Sequence, residues 1–172
     1  PISSPRTQEC AVFQLRSGMP EAIGCIYWRT TAEPAVSVLT PWYVGINATP
    51  KSYYWGAEIE TQLALDHHFS PPSGTFETHP QTAWWIFRAF QEAVHDDYAE
   101  RIKVVQPVWA AFEARLFRQQ PAIEKRAREL WQTDPAAARA YLTRYCQQEA
   151  ESACRQAKQF IRQFRDAGPR PD

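Results

Sequence analysis

Apolar residues fall in short clusters over the first half of the chain and in helical stripes over the second. Ile23 to Trp28 is a compact apolar run of strand length, and Val36 to Leu39 is another, so Thr30 to Pro34 is predicted to join them as a hairpin loop. Upstream, Ser4 before Pro5 has the form of a helix cap followed by a first-turn proline. A short helix is expected from there to about Arg16, ending at Ser17-Gly18. Near Thr78 the period changes. Thr78 and Gln81 fit a capping box with Pro80 in the first turn, and Ala83, Trp84, Phe87, Phe90 and Val94 mark one helical face. A second helix fits Val108 to Gln119, burying Trp109, Phe112 and Leu116. Pro121 opens a third with Ile123, Ala127, Leu130 and Trp131 inward. Asp134 caps a last helix that Pro135 begins and that reaches about Ala167, roughly 50 Å at about 1.5 Å per residue. Its inner stripe is Leu142, Tyr145, Cys146, Ala150, Ala153, Ala157, Phe160, Ile161 and Phe164. The expected class is α+β, a few antiparallel strands between about 20 and 60 followed by a helical half over about 78–167. The chain reads as a single domain or part-domain over 1–172, divided into a strand and loop half at 1–77, the helical half, and a free tail at 168–172.

One stretch fits neither regime. Thr40 to Gly56 carries five aromatics among two prolines and two glycines. Loops that hold large rings pack against a partner or line a cleft. Trp42, Tyr43 and Tyr53, with Tyr54 and Trp55, are therefore candidates to face a ligand or a second polypeptide segment. Asn47 has an amide that could orient a substrate or hold its own turn. Asn47-Ala48-Thr49 is also a glycosylation acceptor in any secreted eukaryotic setting.

Charge narrows the function classes. Nineteen acidic residues balance nineteen Lys and Arg, which gives no basic field for nucleic acid or an anionic membrane, and no apolar run approaches the roughly 20 residues of a membrane span. The four histidines, His67, His68, His79 and His95, lack the spacing of a zinc helix, so no metal and no cofactor are expected. Cys146 and Cys154 lie eight residues apart on one predicted helix, about 12 Å along its axis, too far to pair. Cys10 and Cys25 could be neighbours. Glu149 with Glu151, and Asp96-Asp97, read as solvated acids, and Glu124 with Arg128 as an ordinary i, i+4 pair. Pro1 could act as a general base of the tautomerase kind only if it opened a strand, and Ser3-Ser4-Pro5 does not read as one.

An ordered set of segments carries a resemblance. Thr7-Gln8-Glu9 and Gln14-Leu15-Arg16 come first, then Gly24 to Trp28, Pro41 to Ile46, Pro50 to Tyr53 and Ala83 to Phe87. Trp109 with Phe112-Glu113-Ala114, Gln120-Pro121 with Glu124, and Leu142-Thr143 with Tyr145 complete it. In this order they resemble the C-terminal part of the secernin and dipeptidase A-like cysteine peptidases. The resemblance implies an N-terminal-nucleophile hydrolase, two stacked sheets between helical layers. In that chemistry a cysteine exposed at a new N-terminus attacks an amide carbonyl, and its own α-amino group serves as base.

This sequence departs from that pattern at the nucleophile. Pro1 is not one, and Cys10 is internal, with its amine locked in a peptide bond. The resemblance therefore implies a C-terminal subunit or fragment with no catalytic residue of its own. The expected partner is the cysteine-bearing N-terminal portion, as a separate chain or a missing one, and the expected substrate is dipeptide-like. Trp42, Tyr43, Asn47 and Tyr53 are the residues offered for the cleft wall. A non-enzymatic helical interaction module, or an amidase or acyltransferase on the same scaffold, is the alternative, and self-association is left open.

Overall fold

A computed structural model describes residues 3–53 and 77–166. Pro1, Tyr54, Trp55, His67, His68 and the tail at 168–172 lie outside the described residues. The described elements are β1 (Ala11–Leu15), α1 (Glu21–Gly24), β2 (Cys25–Arg29), β3 (Thr40–Tyr43), a single 3-10 turn at Lys51–Tyr53, α2 (Ala83–His95), α3 (Tyr98–Thr133) and α4 (Pro135–Asp166). The class is α+β, as the sequence predicts.

The strands form an antiparallel sheet in the order β1-β2-β3, with Val12 opposite Trp28 and Tyr27 opposite Trp42. The predicted first helix is absent, and β1 stands at its end. Ser4 closes a tight turn instead, with the Thr7 N–H on the Ser4 carbonyl at 2.9 Å and the Ser4 N–H on Thr7 Oγ1 at 3.1 Å. The chain leaves that turn extended, and pairing with β2 overrides the helical start signal. The predicted second strand is displaced as well. Val36 and Val38 are buried in a loop rather than a ladder, because other groups take their backbone. The Trp109 indole donates to the Val36 carbonyl at 3.0 Å, and the Leu39 N–H donates to Glu113 Oε1 at 2.8 Å. The strand starts at Thr40, one residue past the predicted end at Leu39. Pro41 costs β3 no ladder bond, since the Val44 N–H on the Cys25 carbonyl shows that even-numbered residues of β3 face β2.

Two predicted helices merge into one. α3 runs 36 residues, about 54 Å, straight through Pro107 and Pro121. Both prolines are exposed, as are Lys103 and Phe117, whose carbonyls the two rings displace. Water can take up those carbonyls, and the inner stripe of Val105, Trp109, Leu116, Glu124 and Ala127 continues in phase. The Thr78 capping box is not made either. α2 starts at Ala83 with Thr82 at its cap, and the Thr82 hydroxyl donates to the His79 carbonyl. Ile86 rather than Trp84 completes its buried face, and Trp84 is exposed.

α4 ties the two halves together. Its C-terminal half packs Ala153, Ala157, Phe160 and Phe164 against α2 and the first half of α3. Phe90, Trp109 and Phe160 meet there with centroids 5.5–5.9 Å apart. Its N-terminal half packs Leu142, Tyr145, Cys146 and Ala150 against Ile26, Trp28 and Tyr43 of the sheet. The predicted inner stripe is buried throughout except for Ile161, which is partly covered. The predicted cap is also present, Asp134 Oδ1 accepting from the Ala136 and Ala137 N–H groups at 2.9 and 3.0 Å.

Asp134 is exposed, so its replacement removes the cap and little else. Asp134→Ala should lower the unfolding free energy by about 1 kcal/mol in urea titration, and Asp134→Ser by much less.

Candidate functional site

The densest set of buried polar groups centres on Glu124, which is 5% exposed on the inner face of α3. Arg16, one residue past β1, grips it with both terminal nitrogens, Nη2 to Oε1 at 2.6 Å and Nη1 to Oε2 at 2.8 Å. The Tyr43 hydroxyl donates to Oε1 at 3.1 Å, and Gln120 Nε2 to the same oxygen at 2.8 Å. Gln120 also donates to Gln14 Oε1, which in turn accepts from the Trp28 indole at 3.1 Å. Every strand of the sheet thus reaches one carboxylate. The Glu124 hydrogen bond and charge raise the Arg16 pKa further above its ordinary value. Burial first, and then the Glu124 charge, push the Tyr43 phenol well above the usual tyrosine range, so it stays a donor. A buried carboxylate that accepts three hydrogen bonds at Oε1 and one at Oε2 is committed to holding structure.

This arrangement corrects the expected Glu124–Arg128 surface pair. Arg128 is exposed, whereas the Glu124 carboxylate is buried and turned to Arg16. The signal was in the spacing, since Leu116, Gln120, Ile123, Glu124 and Ala127 share one helical face. Glu149 is likewise no free solvated acid: its side chain is 13% exposed and Arg115 holds both oxygens at 2.6 and 2.9 Å.

Of the four cleft candidates, Trp42 and Tyr43 are in the core and Tyr53 is partly buried against it. Tyr43 is 1% exposed, and Trp42 is buried with its indole on Thr40 Oγ1 and its ring 4.8 Å from that of Tyr53. Tyr53 packs beneath the Arg29 guanidinium. Only Asn47 is at the surface. The turn around it is held by main chain. The Asn47 N–H donates to Thr143 Oγ1 at 2.9 Å, and Gln147 reaches the Ala48 and Thr49 carbonyls. The Gly45 N–H meets the Ala22 carbonyl at 3.0 Å, and a Cβ on Gly45 would stand 2.5 Å from that oxygen. Only glycine allows the approach. The loop from Val44 to Thr49 is therefore a fixed shelf against α1 and α4 with the Asn47 side chain outward.

All four cysteines are free. Cys10 lies opposite Thr30 and Cys25 opposite Leu15, which puts them at opposite ends of the hairpin, roughly 17 Å apart at about 3.4 Å per residue. Burial pushes the Cys146 thiol up to about 12 and the Cys154 thiol up to about 11. Neither is a thiolate at neutral pH, so neither is an activated nucleophile.

A carboxylate–imidazole pair that sequence reading missed joins Glu33 to His95 Nε2 at 2.6 Å. Ala32 turns the chain into it at φ 63°. The Ser3 hydroxyl lies on Glu33 and not on the imidazole, so the order of a hydrolytic triad is not present. Among the described residues, no group of three or more His, Cys, Asp or Glu could hold a metal ion, and no helix is long and apolar enough to cross a membrane.

The sequence model of peptidase family C69 matches residues 1–110, which is more than half of the 172-residue chain. The matched stretch includes the sheet, the shelf, α2 and the first part of α3, and stops short of Glu124. No curated protein matches.

The folded protein should react with iodoacetamide at the half-exposed Cys10 and Cys25 and spare Cys146 and Cys154, which label only on unfolding, as mass spectrometry will show. The raised thiols also fix a sign. The unfolded chain loses those protons first, so their contribution is complete below about pH 9 and declines as pH rises toward 11–12. Urea unfolding should show stability falling over that window, less steeply in Cys154→Ala.

Proposed function

The chain belongs to peptidase family C69, and from that premise we propose that it is the C-terminal part of a dipeptidase-type hydrolase whose attacking cysteine lies on another stretch of polypeptide. The family's reaction is hydrolysis of peptide bonds. The observation that carries the finer reading is the state of the four thiols. Two are sealed in the core with raised pKa values. The other two sit at the ends of a strand pair, each with its own amine in a peptide bond, so neither has an α-amino group to take its proton.

On this reading the present residues position the chemistry. An N-terminal cysteine elsewhere attacks the scissile carbonyl, its α-amino group receives the thiol proton, and the leaving amine takes a proton as the acyl-enzyme forms. Water then releases the acid. The buried Glu124 cluster fixes the sheet, and the sheet and α4 fix the shelf that carries Asn47. The Asn47 amide, exposed on a loop whose backbone Thr143 and Gln147 hold, is the group of this chain best placed to hydrogen-bond a dipeptide amide or carboxylate. The secernin and dipeptidase A-like resemblance supports the same assignment, including the N-terminal-nucleophile chemistry and its independence of metal.

The test is turnover of a dipeptide panel together with intact-mass and N-terminal sequencing of everything that co-purifies. The purified chain should be inactive by itself. Activity should appear with a stoichiometric polypeptide that begins with cysteine, and alkylation of that cysteine should abolish it. Dipeptide hydrolysis by the chain with no other polypeptide present would overturn the proposal.

A further inference from the structure

The sheet has a free edge whose chemistry specifies what covers it. Among the described residues β1 is an outer strand. The Thr30 N–H bonds the Cys10 carbonyl at 2.9 Å, which fixes the ladder alternation: even-numbered residues of β1 direct their main chain at β2. The N–H and C=O groups of Ala11, Phe13 and Leu15 therefore point away from the sheet. The strand itself carries none of the side-chain devices that blunt an edge. Ala-Val-Phe-Gln-Leu contains no proline, no lysine and no inward charge. The flanking charges are neutralised within the chain, Glu9 on Arg29 and Arg16 on Glu124.

The same residues leave apolar surface bare. Phe13 is 66% and Leu15 71% exposed, and both project from the sheet face opposite the helices, where Phe13 stacks on Tyr27 at 5.1 Å. The other end of that face is covered, since Tyr53 packs on Trp42. A sheet apolar on both faces is a middle layer. Helices cover one side here, and the β1 end of the other side has no cover among the described residues.

The geometry points to a strand-docking site at β1, occupied by a neutral, apolar β-strand that pairs with Ala11, Phe13 and Leu15 and continues over the Phe13–Leu15 face. A second copy of this chain fits less well. Edge-to-edge pairing of five-residue strands extends only about 17 Å and leaves the outer face bare, far from the roughly 800 Å² per partner of a standard interface. The occupant is thus a β-structured segment of the polypeptide that completes the peptidase. That identification rests on the proposed function, and the edge itself does not.

The experiment is residue-resolved amide exchange by NMR, with a seven-residue peptide of alternating valine and threonine between lysine ends as the probe. In the chain by itself the Ala11, Phe13 and Leu15 amides should exchange freely, while Val12 and Gln14 are protected. Excess peptide should slow the three outward amides by about tenfold or more with the protein still monomeric by light scattering. The peptide N-methylated at its valines should not, because it lacks the donors. Outward amides that stay unprotected with the peptide would overturn the site, and protection in the chain alone with a dimer mass would assign the edge to a second copy instead. Dipeptide turnover is read separately, so turnover by the isolated chain would remove the proposed function and leave the exchange result standing.

Discussion

A single buried carboxylate governs how the sheet meets the helices. Glu124 sits inside α3, where an unpaired charge would cost several kcal/mol, and its position is tolerable only with Arg16, Tyr43 and Gln120 all in place. Those three come from the end of β1, from β3 and from α3 itself. Any sliding of the hairpin relative to α3 would strand the charge. The apolar contacts around it, Leu116, Leu142 and Tyr145 against the strands, fill space but would tolerate small shifts. The carboxylate turns a loose stack of layers into one register.

From that register the rest follows outward. With β3 fixed, Val44 to Thr49 leaves it at a set angle, and Gly45 lies against Ala22 closely enough that no side chain fits. Thr143 and Gln147 of α4 then hold the loop from the far side. Asn47 is presented on backbone that has no slack. With β2 fixed, β1 is held along one edge, and among the described residues no strand pairs with the other. Under the proposed function, the shelf would align a substrate and the β1 edge would receive more sheet.

Legibility in the sequence followed the range of the interactions. The last helix was readable because its signals are local: Asp134 and Pro135 start it, and one apolar face runs unbroken to Phe164. α3 was divided at Pro107 and Pro121 because a proline in sequence cannot say which face it will occupy. On the solvent face the carbonyl it frees is open to water. β1 reads as a helix in sequence because Ser4-Pro5 outweighs a five-residue strand whose partner lies further along the chain. In the aromatic segment the rings of Trp42 and Tyr43 fill the core, Tyr53 packs partly buried against it, and Asn47 is exposed. Glu124 was missed for a similar reason. The spacing places Glu124 on the inner face of α3, but the partner that makes its burial tolerable, Arg16, is 108 residues away in sequence.

The most direct test is a double-mutant cycle on Arg16 and Glu124, read by urea unfolding of the wild type, Arg16→Met, Glu124→Gln and the pair. If the carboxylate sets the register, each single change is severe, about 3 kcal/mol, and the double variant is little worse than either, giving a coupling energy above about 1 kcal/mol. Effects that add within about 0.5 kcal/mol would contradict the account, since the two groups would then stabilise the fold independently.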